Sequence, residues 1–240
     1  IVIRNAAGED VTSNYSNISK QAGTLTVNKV SVTVTADSKT KVYGEDNPEL
    51  TYKEEGFVNG ETLESLEIVP ELSTTATKTS PIGNDYPITF VNPTETTTNY
   101  EITYVPGTLT ITANEEEIVV KAGDATRDYT GQALTQPEYE MLSGQLASGD
   151  YIDEVTMTAD STITNAGTQA NVIESIVIRN AAGEDVTSNY SNISKQAGTL
   201  TVNKVSVTVT ADNKTKKYGE ANPGLTYKEE GFVNGESLES

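Results

Sequence analysis

The stretch VSVTVTA at residues 30–36 alternates β-branched apolar residues with serine and threonine. In an extended chain its valines would lie on one face and its hydroxyl residues on the other, because successive strand side chains point to opposite faces. Val and Thr both favour strand over helix, because branching at Cβ restricts their rotamers in a helix. The stretch predicts a half-buried β-strand, and the abundance of threonine extends this prediction to a mostly β chain.

Two further alternating runs stand close together at residues 99–104 (NYEITY) and 107–112 (GTLTIT). The second run would place Leu109 and Ile111 on an inward face. Because the runs meet at the turn signal VPG, we predict a hairpin. The related ending NYSNISKQAGTLTV occurs twice elsewhere in the chain, which indicates that the hairpin closes a repeated module.

The chain repeats itself, since residues 1–65 recur as residues 176–240 with five substitutions. Each repeating unit of 175 residues contains two related module types. The motif DSKTKVYG of the first type has a looser counterpart, DATRDYTG, in the second type, and GFVNGETL has the counterpart GQLASGDYI. We therefore divide the chain into four parts. Residues 1–28 are the C-terminal part of a second-type module, and residues 29–113 are a complete first-type module. Residues 114–203 are a complete second-type module, and residues 204–240 are the N-terminal part of a first-type module.

Each module is expected to be a small β-rich unit with its own core and at most one short helix. The best helix candidate is NGETLESLE at residues 59–67, where Leu63 and Leu66 are three apart and acids occupy the first turn. The junction TANEEEIVV lacks a flexible linker, which predicts stiff coupling between neighbours in an elongated array. The first residues include no start methionine or signal peptide, so we expect an excerpt of a longer protein with export signals elsewhere.

The composition excludes several classes of function. With 35 acidic and 16 basic side chains the net charge is −19, so the surface repels nucleic acid and anionic lipid. The chain has no Cys, His or Trp, which removes the residues most used for transition-metal sites and for thiol or imidazole catalysis. No apolar run approaches the about 18 residues of a membrane span, so we expect no membrane insertion within this segment, and we expect no cofactor.

The stretch YGEDNPEL at residues 43–50 predicts a tight loop between two strands. Gly44 and the Asn47 to Pro48 pair favour turning, because proline fixes its own φ and biases the preceding residue away from helix. The ring of Tyr43 is expected to lie across the edge of the core, with its hydroxyl reaching solvent or backbone. Three of the five substitutions would be costly at buried sites, which predicts that these positions face water: Val42 to Lys217, Asp46 to Ala221 and Glu49 to Gly224.

No residue pattern assigns a catalytic, metal or ligand-binding residue. Among 35 carboxylates some pairs reach glycosidase-like spacing by chance, so paired acids carry no information. Oxygen ligands for calcium are concentrated in GEDN at residues 44–47 and GED at residues 183–185, but neither has an EF-hand spacing, and the first loses Asp46 in the copy, so calcium is disfavoured. A Lys to Asn isopeptide crosslink, and tyrosines that stack on sugar rings, stay open.

Several motifs resemble the MBG domain (YGX type) of bacterial surface proteins: VYGEDNPELTY, GFVNGETL, SPIGNDYPI and NYEITYVPGTLTIT. The second module, with RDYTGQALT, SGQLASGDYI, ITNAGT and NYSNISKQAGTLTV, is similar to the YDG-like repeats that alternate with that domain. The resemblance covers essentially the whole chain. It departs from the second type at YTG, where an acid often precedes the glycine.

The resemblance implies β-grasp-like or immunoglobulin-like modules in a tandem array of a secreted or cell-wall-attached bacterial protein, and it brings no catalytic residue. We therefore predict a non-enzymatic, extracellular adhesin stalk or spacer, whose partners are neighbouring repeats and host glycans or mucin in weak multivalent contact. The alternative is a dedicated carbohydrate- or protein-binding module that alternates with spacer domains. An enzyme is the third hypothesis.

Overall fold

The computed structural model describes residues 1–239, without the side chains of residues 84 and 85. The described chain consists of short β-strands, irregular connections and three one-turn 3-10 helices at Thr12–Asn14, Glu64–Leu66 and Thr187–Asn189, and these residues form no α-helix. The prediction of a mostly β chain is confirmed.

The first-type module contains two small sheets. Its strands are β1 (Val30–Ala36), β2 (Lys39–Val42), β3 (Tyr52–Glu55), β4 (Glu71–Thr74), β5 (Gly83–Val91), β6 (Tyr100–Val105) and β7 (Gly107–Thr112). One sheet has the strand order β3-β1-β6 and the other the order β2-β7-β5-β4. The strands that flank the YGEDNPEL loop, β2 and β3, therefore belong to different sheets.

The second-type module is built in a similar way. Its strands are β8 (Ile118–Ala122), β9 (Ala125–Asp128), β10 (Tyr139–Ser143), β11 (Tyr151–Met157), β12 (Gly167–Asn171), β13 (Ile173–Arg179), β14 (Ile193–Gln196) and β15 (Gly198–Asn203). They form the sheets β10-β8-β14 and β12-β15-β9 and the ribbon β11-β13. A last antiparallel ribbon follows, formed by β16 (Thr208–Ala211) and β17 (Tyr227–Glu230).

The predicted hairpin between β6 and β7 is wrong, because the two strands lie in different sheets. β6 pairs in parallel with β1, whereas β7 pairs in parallel with β2 and antiparallel with β5. Pro106 lacks an N–H for a ladder, and Gly107 approaches the first strand so closely that a Cβ would lie 2.7 Å from the carbonyl oxygen of Ala36. The turn signal therefore marks a change of sheet and not a reversal of the chain.

The first and last strands of each complete module run side by side in the same direction. In the first module, Val30 lies opposite Tyr100 and, beyond the change of sheet, Lys39 lies opposite Leu109. In the second module, β8 and β9 pair in parallel with β14 and β15. The sheets of immunoglobulin domains are antiparallel, so these modules differ from them in this pairing. Parallel terminal strands also bring the chain in at one end of a module and out at the other.

The alternation seen in the sequence is confirmed in the burial of the side chains. Val32 and Val34 are buried in one cluster of the first module, together with Leu63, Tyr100 and Ile102. Leu109 and Ile111 are buried as well, but they belong to a second cluster that continues into the second-type module through Tyr43 and Tyr190. The expectation of separate cores is therefore wrong, since buried contacts cross from one module to the next.

The helix expected at residues 59–67 is a single 3-10 turn, Glu64–Leu66. Leu63 is fully buried, so the leucine spacing correctly marked an apolar face. The turn ends at Glu67, whose φ of 58° is left-handed and cannot continue a helix.

Candidate functional site

The junction between the two complete modules is centred on two tyrosines and one carboxylate. Tyr43 follows β2 in the first module, and its hydroxyl donates a hydrogen bond of 2.9 Å to Oδ2 of Asp150 in the second module. The hydroxyl of Tyr190, also in the second module, donates to the same oxygen at 2.6 Å. The two rings meet edge to face with centroids 5.6 Å apart, which is a favourable aromatic geometry. One carboxylate therefore links residues of both modules.

Local structure at the end of β2 holds Tyr43 in place. The backbone N–H of Tyr43 continues the ladder by donating to the carbonyl of Thr112 at 2.9 Å. Gly44 then turns the chain with a φ of +88°, and a Cβ on it would lie 2.9 Å from Cβ of Ala147. Only glycine tolerates both the positive φ and this close approach. The Tyr-Gly pair thus acts as a unit that docks onto the next module.

Asp150 is held by a tight turn that ends at its own N–H, which donates to the carbonyl of Ala147 at 3.0 Å. The hydroxyl of Tyr190 accepts a hydrogen bond of 2.8 Å from the N–H of Ala147 and donates its proton to Asp150. The second carboxylate oxygen, Oδ1, is buried without a hydrogen-bond partner in the described chain. The proton of Tyr190 therefore points to Asp150, whose Oδ2 accepts from both tyrosine hydroxyls.

Burial of the junction changes the acidity of its tyrosines. Desolvation and then the hydrogen bond to Asp150 raise the pKa of Tyr43 to about 12, against a smaller lowering by Asn189. The same two causes, in the same order, raise the pKa of Tyr190. Ionisation of either phenol would put a second negative charge beside the carboxylate in a buried site. The junction therefore requires neutral tyrosines.

Backbone hydrogen bonds fix the linker beside the junction. The N–H of Asn114 donates to the carbonyl of Asn189 at 2.8 Å, and the N–H of Ser191 donates back to the carbonyl of Asn114 at 3.0 Å. The side-chain oxygen of Asn189, a buried residue, accepts from the N–H of Ile82 at 3.4 Å. These contacts leave little freedom for rotation between β7 and β8.

A similar contact joins the second-type module to the segment that follows it. The hydroxyl of Tyr129 donates to Oε1 of Glu236, and Nε2 of Gln132 donates to Oδ1 of Asn234 at 3.5 Å. Gly131, with a φ of +75°, is so close that a Cβ would lie 2.6 Å from Cγ of Asn234. As at the first junction, a tyrosine and a nearby glycine of one module meet a carboxylate-bearing turn of the next.

The carboxylate-bearing turn occurs three times, at residues 58–61, 147–150 and 233–236, and we call each copy an acid turn. In each copy the N–H of the final acid donates to the carbonyl three residues earlier, at 3.1, 3.0 and 3.0 Å. In the first copy Glu61 accepts a hydrogen bond from Tyr100 of its own module, as Asp150 does from Tyr190. That hydrogen bond is the main cause of the raised pKa of Tyr100. We call residues 43–44 and 129–131 tyrosine loops.

The structure corrects the expectation for Tyr43, whose hydroxyl reaches neither solvent nor backbone but a carboxylate 107 residues away. Sequence comparison did find both motifs in both modules, the Tyr with its Gly and the Gly with its acid, but it gave no sign that they meet. Of the positions expected to face water, Asp46 and Glu49 are exposed and Val42 is half-buried.

The structure also bears on the metal and crosslink hypotheses. Within the described residues no group of three or more acidic side chains is arranged to hold a metal ion. In GEDN, Asp46 is 3.3 Å from Nζ of Lys78, and in GED, Asp185 accepts from Thr187. The buried Lys41 donates to the backbone carbonyls of Glu45 and Thr77 at 3.0 and 2.5 Å, so its amine bonds to backbone oxygens rather than to an asparagine side chain.

Two surfaces carry partly exposed aromatic residues, the feature on which the glycan hypothesis depends. In the first module a groove of about 610 Å³ is lined by Phe90 and Tyr104, whose ring centroids are 4.7 Å apart. In the second module every residue of β10 is exposed, and Tyr139 and Tyr151 are 38% and 45% exposed.

The family model of the MBG domain (YGX type) matches residues 32–110 and residues 207–240. The matched segments lie in the first-type module and in the last part of the chain, so the similarity of the second-type module to YDG-like repeats stays a prediction. No curated protein and no solved structure matches the chain. Across residues 1–239, no helix has the length and apolar character needed to cross a membrane.

Proposed function

We propose that the chain is a non-enzymatic repeat region of a secreted or cell-wall-attached bacterial surface protein. The premise is that residues 32–110 and 207–240 match the MBG domain (YGX type) family, a repeat domain of surface proteins. The chain serves as an adhesin stalk, which spaces a binding head from the cell. Weak contacts with glycans or mucin, made by many modules at once, add avidity to this role.

The observation that carries the proposal is the direction of the terminal strands in each module. Because β1 and β2 run parallel to β6 and β7, the chain leaves the first module at the end opposite to that at which it entered. The second module has the same arrangement. Each added module therefore adds length, and the Tyr43 to Asp150 junction limits bending between modules.

The surface charge supports a role in a dense array. The net charge of −19 makes neighbouring stalks repel one another, although salt screens this repulsion beyond about 8 Å. The carboxylate of Asp150 accepts hydrogen bonds from two tyrosine hydroxyls and thereby joins the two modules. These features fit a mechanical role better than an enzymatic one.

Small-angle X-ray scattering on the 240-residue chain tests the stalk. A compact globule of this length has a radius of gyration of about 18 Å, whereas modules joined end to end give a clearly larger value. The Tyr43→Ala and Asp150→Ala double variant should broaden the distance distribution, because it removes the junction contacts. A radius near that of a globule would refute the stalk.

The alternative function assigns glycan binding to the second-type module, and the exposed aromatic face of β10 and β11 favours it. Binding of the whole chain to a mucin or glycan array would be measured for a Tyr139→Ala and Tyr151→Ala double variant. The matched control is Tyr15→Ala, which removes a 57% exposed tyrosine elsewhere. Loss of binding in the double variant alone would support this alternative, and no binding by any form would leave the spacer role.

A further inference from the structure

The acid turns share one pattern of hydrogen bonding. Asp150 accepts from a tyrosine of its own module, Tyr190, and from the tyrosine loop of the preceding module. Glu236 accepts from the tyrosine loop of the preceding second-type module. Glu61 accepts from Tyr100 of its own module. A carboxylate has room for about four such bonds, so Glu61 has capacity for a second tyrosine.

The acid turn at residues 58–61 has the same sequence and backbone as the one at residues 233–236 that Tyr129 contacts. Both read Val-Asn-Gly-Glu, and both close with a hydrogen bond from the acid to the valine, at 3.1 and 3.0 Å. The asparagines have φ values of 59° and 55° and the glycines 74° and 75°. A surface that fits the tyrosine loop at residues 129–131 is therefore present at Glu61 as well.

The surroundings of Glu61 form an open surface. A groove of about 510 Å³ is lined there by Val58, Asn59 and Glu61 on one side and by Asn99 and Tyr100 on the other. Equivalent positions at the junction of the two complete modules, Ala147 and Asp150, are covered by Gly44 and Tyr43.

We propose that the groove formed by the acid turn at residues 58–61 with Tyr100 binds the tyrosine loop of a second-type module that precedes it, with the sequence of residues 129–131. The tyrosine hydroxyl donates to Glu61, which then joins two tyrosines as Asp150 does. The glycine of the loop packs against Asn59, as Gly131 packs against Asn234.

The residue after the glycine of the tyrosine loop is one of the differences between the two kinds of junction. Gln132 follows the glycine of the second-type tyrosine loop and donates to Asn234. In the first-type loop the residue after the glycine is Glu45, whose carboxylate accepts from the N–H of Val42 in its own loop at 3.3 Å. Because Asn59 corresponds to Asn234, the second-type loop can donate a hydrogen bond to this acid turn through Gln132, which favours it over the first-type loop and favours alternation of the modules.

An extended protein tests the inference, which rests on the proposed array. A second copy of residues 114–175 is placed before Ile1, and because residues 1–28 repeat residues 176–203, this restores a complete second-type module. Tyr129→Phe in the added copy and Glu61→Gln are made singly and together. The readout is the amide hydrogen exchange of Val32 and Val34, which report opening of the first-type module.

We expect Tyr129→Phe to speed exchange about tenfold in the extended protein and to add little to Glu61→Gln, because the hydrogen bond that both changes affect is then already weakened. The control cycle combines Glu61→Gln with Tyr129→Phe in the original copy, whose partner is Glu236, and its effects should multiply independently. Independent effects in the test cycle would overturn the inference. They would not affect the stalk, which scattering tests separately.

Discussion

Replacing Tyr43 by phenylalanine tests whether the hydroxyl at the junction stabilises the pair of modules. The change keeps the buried ring and its edge-to-face contact with Tyr190, and it removes one hydrogen bond to the carboxylate of Asp150. Hydrogen bonds to charged groups contribute about 1.5–3 kcal/mol. The packing of the ring is retained, so the loss should lie near the middle of this range, at about 2 kcal/mol.

The missing donor leaves the carboxylate of Asp150 with fewer hydrogen bonds. Oδ1 of Asp150 already lacks a hydrogen-bond partner within the described chain, and Tyr190 supplies one hydrogen bond to Oδ2. The carboxylate would therefore keep one tyrosine donor in a partly buried site, where an acceptor without a hydrogen bond lowers the free energy of unfolding. The free energy of unfolding should fall without a change in the surface exposed on unfolding, so the urea midpoint should move and the slope should not.

Circular dichroism during urea titration measures this effect, since the chain has no tryptophan to report by fluorescence. The repeat supplies a matched control, because Tyr218 occupies the same place in the sequence motif and is fully exposed. Tyr218→Phe should change stability by less than about 0.5 kcal/mol. An equal loss in both variants, or a loss below about 0.5 kcal/mol for Tyr43→Phe, would refute the role of the hydroxyl.

Three further changes should alter stability or hydrogen exchange: a rise in pH, a glycine substitution and the position of a repeated segment. The pKa of Tyr43 rises from 10.0 to about 12 on folding, so its contribution to stability is complete below pH 10 and is lost as the pH rises towards 12; alkaline unfolding followed by circular dichroism should be less steep in Tyr43→Phe. Gly107→Ala places a Cβ against backbone oxygens and should cost about 1–3 kcal/mol, whereas Gly224→Ala, in open space, should cost far less in the same urea titration. Hydrogen exchange should be faster in residues 1–28 than in the identical residues 176–203, and equal rates would contradict the proposed module boundaries.

The strands were largely predictable, and their partners were not. Alternation marks which side of a strand is apolar, and Val32, Val34, Leu109 and Ile111 are all buried as predicted. The VPG signal marks where extended structure is interrupted, but it is equally compatible with a reversal and with a change of sheet. The close approach of Gly107 to Ala36, about 70 residues earlier in the chain, decides between them, and no local pattern contains that contact.

The junction illustrates the same limit at the candidate site. The two motifs that form it were recognisable because both module types contain them, in YG or YTG and in NGE or SGD. The pairing of Tyr43 with Asp150 depends on how one module sits on the next, and 107 residues separate the two partners. Periodicity carries no information on such a contact between modules.

Residues 1–28 and 176–203 have the same sequence, so a comparison of their structures separates local effects from tertiary ones. The loop RNAAGED forms in both, with the same hydrogen bond of 2.8 Å from its arginine to its glycine. The strands β14 and β15 form only in the second copy, where Leu200 is fully buried, while its equivalent Leu25 is 91% exposed.

The physical reason for this difference is how far apart in the sequence the donor and the acceptor of each hydrogen bond lie. The loop satisfies its donors within about four residues, so its sequence is sufficient to form it. A strand needs a neighbour for its backbone groups, and β15 finds β9 at a separation of 75 residues. By itself the sequence determined the turns, the apolar faces and the repeat, whereas only the tertiary structure decided which faces become buried and which tyrosine meets which acid.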